Sequence, residues 1–387
     1  MQYALDDAQQ ALVEHVHEVA ATHLVGVPAT EGRVNRPLLQ EMGKHGLLRG
    51  LFGGSADDPL DPSSGDAAAM QLCLLRETLA QVSTEAETAL ALQGLGSYPI
   101  LQSGSPATIE RWIPGVVTGE VVAAFALSEA GAGSDAAALA LSASRDGDGW
   151  VLYGEKLWIS NAPEADVYTV FARTTAEAGA RGVTAFAVAG DAPGLSGEHL
   201  DLLAPHAIGR LVLDGVRVGP EDVLGEVDRG FVVAMRTLDL FRPSVGAFAV
   251  GMAQAALDAA VAWACTREVR GGPLVRQQAV EHVLAEMATR VEAARLLVRS
   301  AASSYDGKAP AAEVTSRAAM AKLFATESAQ WVVDQAVQLH GARALQRGHL
   351  LERLYREVRA PRIYEGASEV QRTIIGRGLV RAVEEDD

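Results

Sequence analysis

Between about residue 121 and residue 227 the chain changes texture, and that change limits its fold more than any other feature. Runs such as Trp150 to Ile159, Val167 to Ala172, Val183 to Val188 and Leu211 to Val218 are short, rich in Val, Ile and Tyr, and split by Gly, Pro or Asp. That is the pattern of an antiparallel sheet. Arg145-Asp146-Gly147-Asp148-Gly149 between two such runs supplies a hairpin turn. On either side the periodicity is helical. Leu5, Ala8, Leu12, Val16 and Val19, then Ala67 to Val82, carry apolar stripes before the sheet. Val280, Val283, Leu284, Met287, Val291, Ala294 and Val298 carry one after it, followed by Arg317 to His340 with Ala318, Ala321, Phe324, Ala325 and Val332. This order predicts an α+β, mainly α protein: an N-terminal α-helical domain over 1–120, a middle antiparallel β-domain over 121–227 and a C-terminal α-helical bundle over 228–387. Alanine-rich helices suit a bundle because small residues let helices approach closely. Gly53-Gly54-Ser55 and Asp57 to Gly65 read as a loop, and Gly94-Leu95-Gly96 as a glycine pair without the preceding strand of a dinucleotide fingerprint.

Composition narrows the function classes. A chain of 387 residues with 49% hydrophobic and 21% charged residues can bury a large core, but with 5% aromatics that core rests on Ala, Leu and Val. The net charge of −16 argues against nucleic acid, whose binding rests on phosphate neutralisation by basic patches. Cys73 and Cys265 fit no metal, redox or disulfide spacing, so no metal site is expected and a reducing compartment is. The start, Met1 to Asp7, lacks the basic and apolar regions of a signal peptide, and no apolar run approaches the roughly 20 residues of a membrane span. The expectation is a cytoplasmic protein.

Four segments carry chemistry. In Arg362 to Arg372, Glu365 lies between Tyr364 and Gly366, close behind Pro361, which suggests a turn. It reads either as a surface glutamate at a helix start capped by Ser368, or as a partly desolvated carboxylate whose raised pKa suits a general base. Phe125 to Asp135 turns from an apolar run into a glycine-rich loop with hydroxyls and no cation, able to approach a flat or anionic ligand. Trp158 and Ser160, two apart on a strand, would share one face, an aromatic plane beside a hydroxyl; core packing of Trp158 is the competing reading. Asp239-Leu240-Phe241-Arg242-Pro243 reads as the opening of the C-terminal helices.

Taken together and in order, these segments resemble the acyl-CoA dehydrogenase family. The family's flavin loop is matched by Ser128 to Asp135, its Trp-Ile-Ser/Thr-Asn strand by Trp158 to Asn161, its Arg-Pro helix by Arg242-Pro243 and its Tyr-Glu-Gly-Ala/Thr-Ser segment by Tyr364 to Ser368. The resemblance implies a C-terminal four-helix bundle, bound FAD and an assembly of four subunits, or two. It implies that Phe125, Leu127, Ser128, Gly133, Ser134, Trp158, Ile159 and Ser160 contact FAD. By the same resemblance, Arg267 and Gln278 would reach the FAD of a neighbouring subunit. Gln338, Leu339 and Gly341, with Ala367, Ser368 and Glu369, complete the implied cofactor contacts. Ser134, Asp239, Arg242, Tyr364 and Gly366 would contact the acyl thioester or steady the catalytic group.

Glu365 would then take the α-proton while the β-hydride leaves for flavin N5, converting acyl-CoA to trans-2-enoyl-CoA in fatty acid metabolism, with an electron-transfer flavoprotein as acceptor. Two alternatives stay open: a dehydrogenase of a carrier-protein-bound acyl group, and a flavin oxidase or monooxygenase on the same fold. The chain departs from the family at Ala130 and Ala367, mildly. Arg270 stands where an aromatic residue is frequent, Arg343-Ala344-Leu345 where a glycine turn is common, and Leu203 to Gly209 lacks the usual Gly-x-Arg-x-Ser pattern.

Overall fold

The structure is a computed structural model that describes residues 4–52 and 68–386. The loop expected at Gly53 to Gly65 lies outside the described residues. Helices α1 (Asp7–Val19), α2 (Arg36–Lys44), α3 (Ala69–Val82), α4 (Thr84–Ser103) and α5 (Pro106–Thr118) come first. Strands β1 (Ala123–Ala126), β2 (Ser142–Asp146), β3 (Gly149–Ser160), β4 (Val167–Arg173), β5 (Val183–Ala189), β6 (Leu195–His199), β7 (Ile208–Val218) and β8 (Val223–Leu224) follow. Then come α6 (Gly230–Thr266), the short strands β9 (Glu268–Val269) and β10 (Gly272–Pro273), α7 (Gln278–Asp306), α8 (Ala311–His340), α9 (Leu350–Glu357) and α10 (Ser368–Asp386). The fold is mainly α with a mostly antiparallel sheet. Its contacts divide the chain into two compact units: 1–21 with 68–87 and 239–387, and 22–67 with 88–238.

The first unit is helical. α7 and α8 pack along their lengths, α10 lies on α8, and α3 on α7. In α7 the stripe buries Val280, Met287, Val291, Ala294 and Val298; in α8, Ala318, Ala321, Ala325 and Val332 are buried but Phe324 is exposed, so it does not share their face. Burying one Val or Met is worth about 1.5–3 kcal/mol. Close approach is enforced where side chains are missing: a Cβ at Gly251 would lie 2.3 Å from the Glu77 carbonyl oxygen, and one at Gly246 2.7 Å from Val298. Contrary to the sequence expectation, Arg242-Pro243 opens no helix. Pro243 lies inside α6, where the apolar surroundings outweigh the one N–H a proline cannot give to the carbonyl four residues back. A second difference concerns α6 itself, which is long and apolar enough to cross a membrane by length and composition. Within the protein 72% of its apolar window is buried, as for a core helix.

In the second unit the strand order is β6-β7-β3-β2-β4-β5-β8, and β1 pairs with β4 in parallel. The hairpin forms as expected: Asp146 pairs with Gly149 and Gly147 takes φ +60°. Strand β1, Ala-Ala-Phe-Ala, has poor strand propensity, and side chains position it. Gln93 receives the Ala123 N–H (2.8 Å) and donates to the Val121 carbonyl (2.7 Å). Asp166 accepts the Val122 N–H (2.7 Å) and binds Arg36 of α2 (2.8 Å). Asn161 donates to the Ala123 carbonyl (2.9 Å). Gly96 of α4 supplies the close approach, since a Cβ there would lie 2.5 Å from the Ala124 nitrogen. That is the structural role of Gly96, the second glycine of the pair.

Candidate active site

Glu365 sits in the turn between α9 and α10 with φ +49°, in the left-handed region that a residue with a Cβ adopts at a cost of about 1–3 kcal/mol. The turn is held from three sides. Lys322, fully buried in α8, donates to the Gly366 carbonyl (2.6 Å). Gln371, also fully buried, donates to the Gly366 (2.9 Å) and Glu365 (3.2 Å) carbonyls. The Ser368 hydroxyl donates to Glu327 (2.6 Å), which also binds Arg362 (2.7 Å). Ser368 therefore anchors the turn to α8; the expected cap is not its role, although α10 begins there. Gly366 has φ +90°, and a Cβ on it would lie 2.4 Å from Gln371 Nε2. Gly366→Ala should displace Gln371 and with it the Glu365 backbone. The expected result is an activity loss of about 10²-fold, the cost of about 1 Å of misplacement, with FAD retained; steady-state kinetics and the flavin spectrum check it.

The Glu365 side chain has an oxygen, Oε2, shut off from solvent and without a hydrogen-bond partner. Burial pushes its pKa up, while Arg76, Lys322 and Arg242 pull it back toward the ionised form. Arg76 (3% exposed), Arg242 (8%) and Lys322 (0%) are all buried. The desolvation expected for a general base is present, although the neighbouring Ile363 is itself exposed. Arg76 is clamped by Glu87 (2.5 Å) and the Ser244 hydroxyl (2.7 Å), and Arg242 by Asp239 (3.1 Å). Burial pushes Lys322 down to about 8 against the pull of Glu365, and raises both the Tyr364 hydroxyl and Asp239. Behind them Glu357 is driven up to about 7 by burial, although it accepts a hydrogen bond from Thr84 (2.9 Å). Sequence reading found Glu365, Tyr364, Gly366, Asp239 and Arg242, and missed Arg76, Glu87, Lys322 and Gln371. Their signal was a charged or amide residue inside an apolar stripe, as Lys322 is beside Ala318, Ala321 and Ala325.

In the other unit, the loop after β1 is built on a buried ion pair that sequence reading also missed. Lys156 (0% exposed) binds Glu129 (2.8 Å) and the Leu127 carbonyl (3.0 Å). Glu129 also accepts the N–H groups of Ala140 (2.6 Å) and Leu141 (3.0 Å). The Ser128 carbonyl takes the Leu157 N–H (3.0 Å). With its underside fixed, the loop leaves Gly131, Gly133 and Ser134 exposed, and a Cβ at either glycine would meet nothing within 4 Å. Leu127 is buried, and Phe125, partly covered, tilts against Phe171 at 4.9 Å. Trp158 departs from the expected strand alternation. The β3–β7 register shifts between Lys156 and Ile159, and Trp158 takes φ +58°, so spacing alone does not put it beside Ser160. Its indole is 48% exposed, which removes the core reading, while Ile159 is buried and Ser160 partly covered. An indole displayed on a left-handed bulge, and an open glycine loop, are what a flat heteroaromatic ligand requires.

Arg267 borders a cavity of about 340 Å³ in the helical unit, lined by Trp263, His340, Ala342, Arg343 and Gln346. Arg343 and Arg267 lie over the Trp263 ring (5.1 and 5.9 Å), and Trp263 donates to the Leu339 carbonyl (3.1 Å). Gln338, Gly341 and Glu369 are exposed, Ala367 is partly covered, and Gln278 is the exposed first residue of α7. Arg270 occupies the β9–β10 turn with φ +53°. In the divergent stretch before β7, burial pushes His206 down to about 4, and the Pro205 and Ala207 carbonyls accept the N–H groups of Gly32 and Asn161 (both 3.0 Å).

The chain is similar along its length to known proteins. The family descriptions for the N-terminal, middle and C-terminal domains of acyl-CoA dehydrogenases match residues 6–120, 124–216 and 228–380. Cyclohexane-1-carbonyl-CoA dehydrogenase of Geobacter metallireducens is 35% identical over 96% of this chain and 95% of its own. The caffeyl-CoA reductase-Etf complex subunit CarC of Acetobacterium woodii is 36% identical over 93% and 94%. The solved structure of butyryl-CoA dehydrogenase from Megasphaera elsdenii superposes with a TM-score of 0.89 at 32% identity, covering 98% of this chain and 100% of that one. The chain belongs to the acyl-CoA dehydrogenase family, a family of FAD-dependent oxidoreductases.

Proposed function

We propose that Glu365 is the general base of this FAD-dependent acyl-CoA dehydrogenase, taking the α-proton of the acyl thioester. One observation carries this: a carboxylate on a strained backbone, with a shielded and unpartnered oxygen and three buried cations acting on it. Burial raises its pKa above the ordinary glutamate value and the cations draw it back toward the ionised form, the balance that suits a carboxylate taking a proton. The α-proton of a thioester is weakly acidic, so negative charge developing on the carbonyl oxygen needs donors. The Glu365 N–H, which has no backbone acceptor among the described residues, is suited to be one. FAD, when bound, accepts the hydride from the β-carbon. Ser128, Gly133, Ser134 and Trp158 would hold the cofactor on the sheet unit. By the family resemblance, Arg267, beside Trp263 and Arg343, would meet an anionic, aromatic part of the FAD of a neighbouring subunit.

The names of the relatives support CoA rather than a carrier protein, and CarC, a subunit of a reductase-Etf complex, supports an electron-transferring flavoprotein as redox partner. Bleaching of the flavin band across a panel of acyl-CoA and carrier-bound thioesters tests both the reaction and the carrier. Bleaching by carrier-bound substrates alone would favour the carrier reading, and rapid oxygen consumption the oxidase.

The base must be ionised, so kcat/KM should rise with pH through a pKa above the ordinary glutamate value and then level off. Lys322→Met removes a cation that favours ionised Glu365, so this limb should move to higher pH. The pH profile of the FAD-loaded variant checks it; a limb that stays in place or moves down contradicts the role of Lys322.

A further inference from the structure

We propose that His23, Glu41 and His45 form a binding site for one divalent transition-metal cation of the zinc class. All three belong to the sheet-containing unit and stand outside the residues assigned to FAD or substrate. Their ligand atoms all lie within 4.8 Å of one another, and among the described residues no other such group of three is found. Three atoms 4.8 Å apart lie about 2.8 Å from their common centre, so small side-chain rotations bring them to the roughly 2.0–2.2 Å at which imidazole nitrogen and carboxylate oxygen bind zinc.

Local structure brings the three together. Glu41 and His45 are one helical turn apart at the end of α2, with Glu41 Oε1 3.3 Å from His45 Nε2. His23 is presented by the π-helical turn Ala20–Leu24, a wide turn of the kind found at functional sites. Its ring stacks on that of His45, with centroids 4.2 Å apart and planes 26° apart. Lys44 occupies the other carboxylate oxygen, Oε2, at 2.8 Å, which orients Glu41 and leaves Oε1 facing the histidines. Two imidazoles and one carboxylate suit zinc and its first-row neighbours and are poor ligands for magnesium. His23 is exposed and the others partly so, which gives the ion an entry path and leaves a coordination position for water. The bound ion would tie the π-helical turn to α2 and stabilise the fold by mass action.

The test uses the FAD-loaded protein, stripped of metal with a chelator and dialysed against Zn²⁺. One equivalent of bound zinc and a raised Tm are expected. His23→Ala and His45→Ala should each weaken binding by at least about tenfold, and Glu41→Gln should weaken it too, all three with an unchanged flavin spectrum and dehydrogenase activity. The proposal is overturned if the wild type takes up no zinc, or if the histidine variants bind it as the wild type does, which would put the ion elsewhere, for instance on exposed Cys265. Equal stabilisation by Mg²⁺ would overturn it as well, since imidazole does not select that ion.

Discussion

Glu365→Gln should lower kcat by about 10²–10⁴-fold, the contribution of a positioned general base, while FAD binding is unchanged. The amide keeps the size and shape of the carboxyl but cannot take a proton. The same variant should be no less stable than the wild type at neutral pH. The folded-state pKa of Glu365 lies above its ordinary value near 4.5 because of burial. Between those two values the folded protein holds more protons than the unfolded chain, so stability present at low pH falls as pH rises through the folded pKa. Removing the titration removes that loss, so urea unfolding of the variant should show a flatter dependence on pH. Activity lost with stability kept or gained is the signature of a group held at a cost for function.

The second large effect lies under the cofactor loop. Glu129→Ala removes the partner of Lys156, which is fully buried and keeps only the Leu127 carbonyl. It also strips the acceptor from the N–H groups of Ala140 and Leu141. Breaking a buried pair by deleting one partner costs about 3–5 kcal/mol, so a clear fall in Tm and a weakened hold on FAD are expected. Glu129→Gln combined with Lys156→Met should recover part of the stability, because no unpaired charge stays buried. Calorimetry and FAD retention on gel filtration would check this. A single variant as stable and as tightly flavinated as the wild type would show that the pair does not build the loop.

How far the sequence speaks depends on how local the physics is. The long strands were legible from β-branched residues and alternation, and the hairpin from its glycines. Strand β1 was not, because alanine carries no strand signal and its place is set by Gln93, Asp166 and Asn161 from three other segments. Pro243 was misread as a helix start because a single proline signals a boundary locally, whereas burial of α6 decides. Trp158 and Ser160 were assigned a common face by a strand period that the bulge interrupts. At the candidate site the base itself was legible, since Tyr-Glu-Gly is contiguous. The groups that tune it were not. Arg76, Arg242 and Lys322 come from three helices and meet Glu365 only in the folded unit.

The role of Glu365 is tested by mixing the acyl-CoA that bleaches the flavin best in the thioester panel anaerobically with the FAD-loaded protein and following the flavin absorption band. The wild type should bleach rapidly, and Glu365→Gln with the same flavin content should bleach slower by about 10²–10⁴-fold. A Glu365→Gln variant that bleaches at the wild-type rate would contradict that role.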